Sequence, residues 1–250
     1  MPVLVILSIA ATILVNALAN ALPINGQTTG DISNRLDVLF TPANYVFAIW
    51  GVIYLGLVAF AVFQALPSQK DNPRLGRARP WLAASGLANI AWIFLWHYEQ
   101  FPLTVVAMVA LLVMVGLTYL RLEVGVTPVS GQERWLLQIP IGIYFGWVSV
   151  ATIANISALL WVLGWGGFGL DPAIWTALMI AVALVVGAGV ALRRADPTFP
   201  LVLAWAFAGI AIRNAGVPTV AYAAWVATAG ALVLAFLGWR RTPGLSQATA

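Results

Sequence analysis

The chain has no cysteine and a single histidine, His97, in 250 residues. The first absence excludes disulfides and thiolate metal sites. The second leaves no set of histidines to hold a metal or a haem. Charge is scarce as well: 8% of residues are charged, against about 25% in a soluble domain. No Gly-rich phosphate loop, Walker motif or metal-ligand cluster occurs, and no acid pair falls well inside an apolar stretch. Period-two alternation is missing too, so a membrane barrel is not the expected architecture.

What the chain does have is apolar length. At 62% hydrophobic, it holds runs of roughly 15–28 residues, and about 20 suffice to cross a hydrocarbon core. Backbone groups in lipid must be paired within the segment, so helices are expected. The fold class that follows is all-α, a polytopic membrane bundle of about eight helices, with the lipid bilayer as its surroundings. The expected spans are 2–22, 43–66, 80–97, 102–121, 135–163, 173–193, 198–213 and 218–239. The seventh is short enough to be either a crossing with little tilt or a re-entrant segment. Residues 1–22 lack a basic leader and contain Asn16 and Asn20, so they read as a retained helix rather than a cleaved signal.

Charge placement tests this count. With both termini cytoplasmic, the inner loops hold Lys70, Arg74, Arg77, Arg79, Arg121, Arg134, Arg193, Arg194, Arg240 and Arg241. The outer loops hold Arg35 and Arg213. That is the positive-inside pattern, and it requires an even number of crossings. The same placement accounts for the net charge of +4 without nucleic acid as a partner. The basic loop from Leu66 to Pro80 serves orientation, with contact to anionic lipid as its other role.

The 12 tryptophans divide into two groups. Trp81, Trp96, Trp135, Trp161, Trp165, Trp175 and Trp239 sit near helix ends, as an aromatic belt requires. Trp50, Trp92, Trp147, Trp205 and Trp225 lie further inside. Phe47, Trp50 and Tyr54 share one face of the second span by i, i+3, i+7 spacing. Ser85, Asn89, Trp92 and Trp96 do so on the third, and Tyr144, Trp147, Ala151 and Asn155 on the fifth. Asn89 and Asn155 act either as interhelical glue or beside the rings of a slot for a flat apolar ligand. His97 and Glu99, with Trp96 and Tyr98, either mark an interface or form a proton-handling pair.

Three segments resemble the tryptophan-rich sensory protein/translocator protein family, TspO/MBR. They are Phe40-Thr41-Pro42-Ala43-Asn44-Tyr45-Val46-Phe47-Ala48-Ile49-Trp50-Gly51-Val52-Ile53-Tyr54, Leu87-Ala88-Asn89-Ile90-Ala91-Trp92, and Tyr144-Phe145-Gly146-Trp147-Val148-Ser149-Val150-Ala151-Thr152-Ile153-Ala154-Asn155. The chain departs from the family where Tyr45 replaces a usual Trp and Ile143 a usual Pro. A Pro before Trp50 is also missing. The resemblance covers residues 1–163 and implies a five-helix bundle; residues 164–250 then form a three-helix C-terminal extension. It further implies an internal pocket for a tetrapyrrole, lined by Trp50, Asn89, Trp92, Trp147, Ala151 and Asn155, with Phe47, Tyr54 and Tyr144 as neighbours. No catalytic residue, metal or required cofactor is expected. The ligand implied is a porphyrin or haem-like hydrophobic small molecule, sensed or transported, in a protein of the bacterial inner membrane that forms a homodimer. A secondary transporter, with Arg213 touching an anion, is the alternative. A membrane enzyme acting on a lipid or isoprenoid is a weaker one, with His97 and Glu99 as its acid and base.

Overall fold

The computed structural model describes residues 1–244, and among them the regular structure is helical. The helices are α1 (Pro2–Ala21), α2 (Thr29–Arg35), α3 (Ile49–Phe63), α4 (Pro73–His97), α5 (Phe101–Arg121), α6 (Ile139–Val162), α7 (Pro172–Arg194), α8 (Thr198–Arg213) and α9 (Pro218–Arg241). Among the described residues six helical stretches are long and apolar enough to cross a membrane: Pro2–Ala21, Asn44–Phe63, Phe101–Arg121, Gly131–Val162, Pro172–Arg194 and Pro218–Arg241. The protein is an integral membrane helix bundle. α4 adds 25 residues whose polar members Ser85, Asn89 and His97 are buried.

Local chemistry sets the helix starts. Proline occupies the first turn of α1, α4, α5, α7 and α9, where its missing N–H has no intrahelical partner to lose. Asn72 caps α4 and Asp171 caps α7 through their side-chain oxygens. Thr28 and Asp31 cap α2 reciprocally. The sequence reading began the third span at Pro80; the helix instead begins at Pro73 and carries Pro80 inside it. Asn72 supplies the start. The carbonyl that Pro80 leaves unbonded belongs to Gly76, which is exposed at the polar end of the bundle.

The second span opens as a 3₁₀ turn, Asn44–Ala48, before α3 proper. The fifth gains a capped turn, Gly131–Glu133, and a π-helical stretch, Arg134–Gln138, ahead of α6. α2 was not anticipated, because seven polar-rich residues have no apolar period to announce them.

α4 packs between α1 and α5, α6 between α5 and α8, and α9 covers α7 and α8. Where helices approach most closely, small residues permit it. A Cβ on Gly86 would lie 2.1 Å from Ser8 Oγ of α1. α9 buries Ala224, Ala227, Ala231 and Ala235 in one stripe.

α8 is the short seventh span, and its two ends are held at opposite ends of the bundle. At 16 residues it reaches about 24 Å. At one end Arg213 donates to Asn34 at 2.8 Å. At the other, Asp196 accepts from Tyr119, near the end of α5, at 2.9 Å. Phe199, Phe207 and Ile210 are fully buried, so α8 is an internal pillar. Asp196 also accepts from the Thr198 N–H and hydroxyl, at 2.8 and 2.6 Å. Burial raises its carboxyl above the ordinary range.

One end of the bundle collects the basic residues. There Arg79 is buried and donates to the Gln64 side chain at 2.9 Å and to its carbonyl at 2.7 Å. Gln64 in turn donates to the Pro2 carbonyl. Arg74 pairs with Glu133, Arg77 with Glu123, and Arg134 donates to the Pro243 carbonyl. The start of α1 and the residues after α9 thus share one end, as an even number of crossings requires.

Candidate functional site

Away from the basic end, the aromatic faces of α3, α4 and α6 meet. Trp50 of α3 packs edge-on against Tyr144 and Trp147 of α6, each with ring centroids 6.2 Å apart. Phe47 meets Trp147 edge-on at 5.9 Å. Two pairs lie nearly parallel: Trp50 on Tyr54 at 5.5 Å and 26°, and Trp92 on Trp96 at 5.5 Å and 22°. Stacked faces and edges of this kind are the favoured aromatic geometries.

Two hollows share these rings. The larger, about 500 Å³, lies among α1, α3 and α4, beneath the loop that carries α2. Asn16, Asn20, Asn34 and Asn44 line it, together with Phe47, Trp50, Tyr54 and Trp92. The smaller, about 80 Å³, lies deeper toward α6 and is lined by Trp92, Trp96, Trp147, Ala151 and Asn155 among others. Thr29, Phe47, Trp50 and Trp92 border both. The nine residues singled out by sequence therefore divide. Phe47, Trp50 and Trp92 form the partition, Tyr54 faces the larger hollow, and Trp147, Ala151 and Asn155 face the smaller. Asn89 and Tyr144 lie behind the walls: Asn89 is 0% exposed and Tyr144 is 1% exposed against Trp50.

The polar atoms around the hollows are unevenly satisfied. Asn89 Oδ1 accepts from Asn16 Nδ2 at 2.7 Å, and Asn155 Oδ1 accepts from the Thr104 hydroxyl at 3.1 Å. Both acceptors are thus engaged. Three buried N–H groups of lining residues are not: Trp92 Nε1, Trp147 Nε1 and Asn155 Nδ2. A buried donor left unpaired costs about 1–3 kcal/mol, so three in one region call for a shared cause. Three other indoles in the bundle are paired. Trp96 donates to the Thr29 carbonyl at 3.3 Å, Trp205 to the Val46 carbonyl at 3.0 Å, and Trp175 to the Gly167 carbonyl at 2.6 Å.

The loop over the larger hollow is tied down at both edges. Arg35 donates to Glu99 at 2.7 Å, and Gln27 donates to the same carboxylate at 2.9 Å. Asn25 donates to the His97 carbonyl at 3.0 Å. Hydrogen bonds from Gln27 and Arg35 hold the Glu99 carboxyl below its usual range. His97 points elsewhere: its Nδ1 lies 2.7 Å from the Ile93 carbonyl and its Nε2 3.5 Å from the Thr29 hydroxyl. The two residues considered as a proton-handling pair are therefore engaged separately. Arg213, considered as an anion contact, is held by Asn34.

Sequence reasoning missed Thr29, Asn34, Asn44 and Met108 as lining residues. The three polar ones sit in or beside loop segments, where no period marks a face. It also missed the support behind Pro42 and Val46. There Ala43 donates its N–H to the Gly209 carbonyl at 3.1 Å, and a Cβ on Gly209 would lie 2.2 Å from Val46 Cγ2. Tyr45 meets Trp205 edge-on at 5.3 Å. α8 is thus built against the turn that presents Phe47 and Trp50.

A family model described as TSPO-like protein matches residues 2–237. The motif resemblance stops at residue 163, whereas this match runs on through α7, α8 and most of α9. No curated protein and no solved structure matches the chain.

Proposed function

The chain belongs to the TSPO-like protein family, and from that premise we propose that it binds a planar hydrophobic ligand of the tetrapyrrole class within the membrane. The observation that carries this reading is the set of three unpaired donors on lining residues, those of Trp92, Trp147 and Asn155, beside parallel aromatic pairs. A hollow of about 500 Å³ is within the usual range for small-molecule sites, about 300–1,000 Å³. The hollow of about 80 Å³ admits only an edge or a substituent. A flat ring system therefore lies between Trp50, Tyr54 and Trp92. One edge, bearing a carbonyl or carboxylate oxygen, enters past Trp92 toward Trp147 and Asn155. Oxygen acceptors on that edge pair the Trp92, Trp147 and Asn155 N–H groups, and no protein acid or base is needed. Binding of this kind serves sensing or transport of the ligand. By the positive-inside rule, the basic end faces the cytoplasm of a bacterial inner membrane, and the ligand enters from the opposite side.

The test is titration of purified protein with protoporphyrin IX, followed by tryptophan quenching. The reading expects saturable binding that weakens several-fold in Trp50→Phe and in Trp147→Phe. Absent saturation, or affinities unchanged in both variants, would overturn it.

A further inference from the structure

A third hollow, about 390 Å³, lies between α6 and α7. Segment 36–42 separates it from the tetrapyrrole site. Leu36, Thr41 and Pro42 face the inner hollow, while Asp37, Leu39 and Phe40 face this groove. α6 is divided in the same way, with Ala154 and Asn155 on one side and Ile153 and Ile156 on the other. The two sites share Val38 and nothing else in their linings.

The groove is amphiphilic along its length. Ile153 and Met179 lie at its membrane-interior end, each about two helical turns from the nearer end of α6 or α7. Trp161, Trp165 and Trp175 lie at its outer end. The connecting loop folds Trp165 back onto Trp175, with ring centroids 5.1 Å apart. Gly167, at φ +60°, makes that approach possible, since a Cβ there would lie 2.9 Å from the Trp175 ring.

Its polarity is one-sided. Asp37 is the one charged lining residue; no lysine or arginine lines the groove. Among the described residues Asp37 has no ion pair. Ser157 and Thr176 give their hydroxyl protons to the Ile153 and Pro172 carbonyls, each at 2.9 Å. Their remaining lone pairs are acceptors. The Trp175 N–H is taken by the Gly167 carbonyl. Indole faces carry negative potential and attract cations, quaternary ammonium above all.

We propose that this groove is a second ligand site, for a small hydrophobic cation. The charged head sits among Asp37, Trp165 and Trp175, and the apolar body runs inward toward Ile153 and Met179. A choline phospholipid fits poorly, because its phosphate would meet the Asp37 carboxylate with no lining cation to offset it. The tetrapyrrole site has the opposite character, with unpaired donors facing a ligand's oxygens.

The test uses 4-phenylbutyltrimethylammonium and its neutral isostere, in which tert-butyl replaces the trimethylammonium head. Affinities are measured by calorimetry on the full chain in a non-ionic maltoside detergent. The proposal expects saturable binding of the cation, with the isostere at least fivefold weaker. Asp37→Asn should weaken the cation about fivefold and leave the isostere and protoporphyrin IX unchanged. Equal affinity of cation and isostere for the unaltered protein overturns the proposal, and that comparison needs no variant to fold. Unchanged cation binding in Asp37→Asn overturns it too. Equal loss of cation and protoporphyrin binding in that variant overturns the separateness of the two sites.

Discussion

Replacing Asn155 by leucine separates a ligand-directed asparagine from one that merely joins helices. Asn155 is 3% exposed, and its Nδ2 has no partner. Its Oδ1 accepts from the Thr104 hydroxyl at 3.1 Å, but that hydroxyl also reaches the Phe101 carbonyl at 2.7 Å. One proton cannot serve both fully, so Thr104 keeps the shorter bond when Asn155 is lost. Leucine has nearly the same shape and removes a donor whose burial costs about 1–3 kcal/mol. Against this stands the loss of a weak interhelical bond, about 0.6 kcal/mol on average in membrane bundles. The ligand-free protein should therefore gain about 1 kcal/mol, or roughly 2–4 °C in melting temperature. Binding should lose one hydrogen bond, about 1 kcal/mol, or roughly fivefold in protoporphyrin affinity. Thermal unfolding in detergent and the quenching titration read the two effects separately. A variant that melts lower and binds protoporphyrin as before would refute the reasoning and make Asn155 interhelical glue.

Three further outcomes follow from the same geometry. Gly209→Ala places a methyl against the stiff, buried Val46 side chain. It should cost about 1–3 kcal/mol and weaken protoporphyrin binding, although Gly209 borders neither hollow; unchanged affinity would disprove the buttress. Asp196→Ala strands the Tyr119 hydroxyl and the Thr198 N–H, and should lower stability by about 2 kcal/mol in a thermal melt. The Glu99 carboxyl is held below its ordinary 4.5, so its grip on Arg35 and Gln27 is complete above that value and fades as pH falls through the lowered one. Ligand release should quicken severalfold over that acid range, and Glu99→Gln should show the faster release at neutral pH and lose the pH dependence.

The crossings were legible because lipid imposes a length and forbids unpaired backbone, so runs such as 102–121 can hardly be anything else. The aromatic faces were legible too, since Phe47, Trp50 and Tyr54 keep helical spacing through a 3₁₀ turn and into α3. The loop carrying α2 was not. Its position over the larger hollow depends on Arg35 meeting Glu99 and Asn25 meeting the His97 carbonyl, some 64 and 72 residues apart in sequence. Nor could sequence rank Asn89 against Asn155. Both sit on aromatic faces, but one turns to Asn16 behind the wall and the other borders the hollow. The role of α8 was hidden for a related reason. Gly209 looks like any helical glycine until Val46 is placed against it.

The most direct measurement is the indole N–H spectrum of ¹⁵N-tryptophan-labelled protein as protoporphyrin IX is added. Trp92 and Trp147, whose N–H groups are unpaired, should move downfield as they gain acceptors. Trp175 and Trp205, already bonded to the Gly167 and Val46 carbonyls, should stay in place. Saturable binding that leaves Trp92 and Trp147 unmoved would contradict the account.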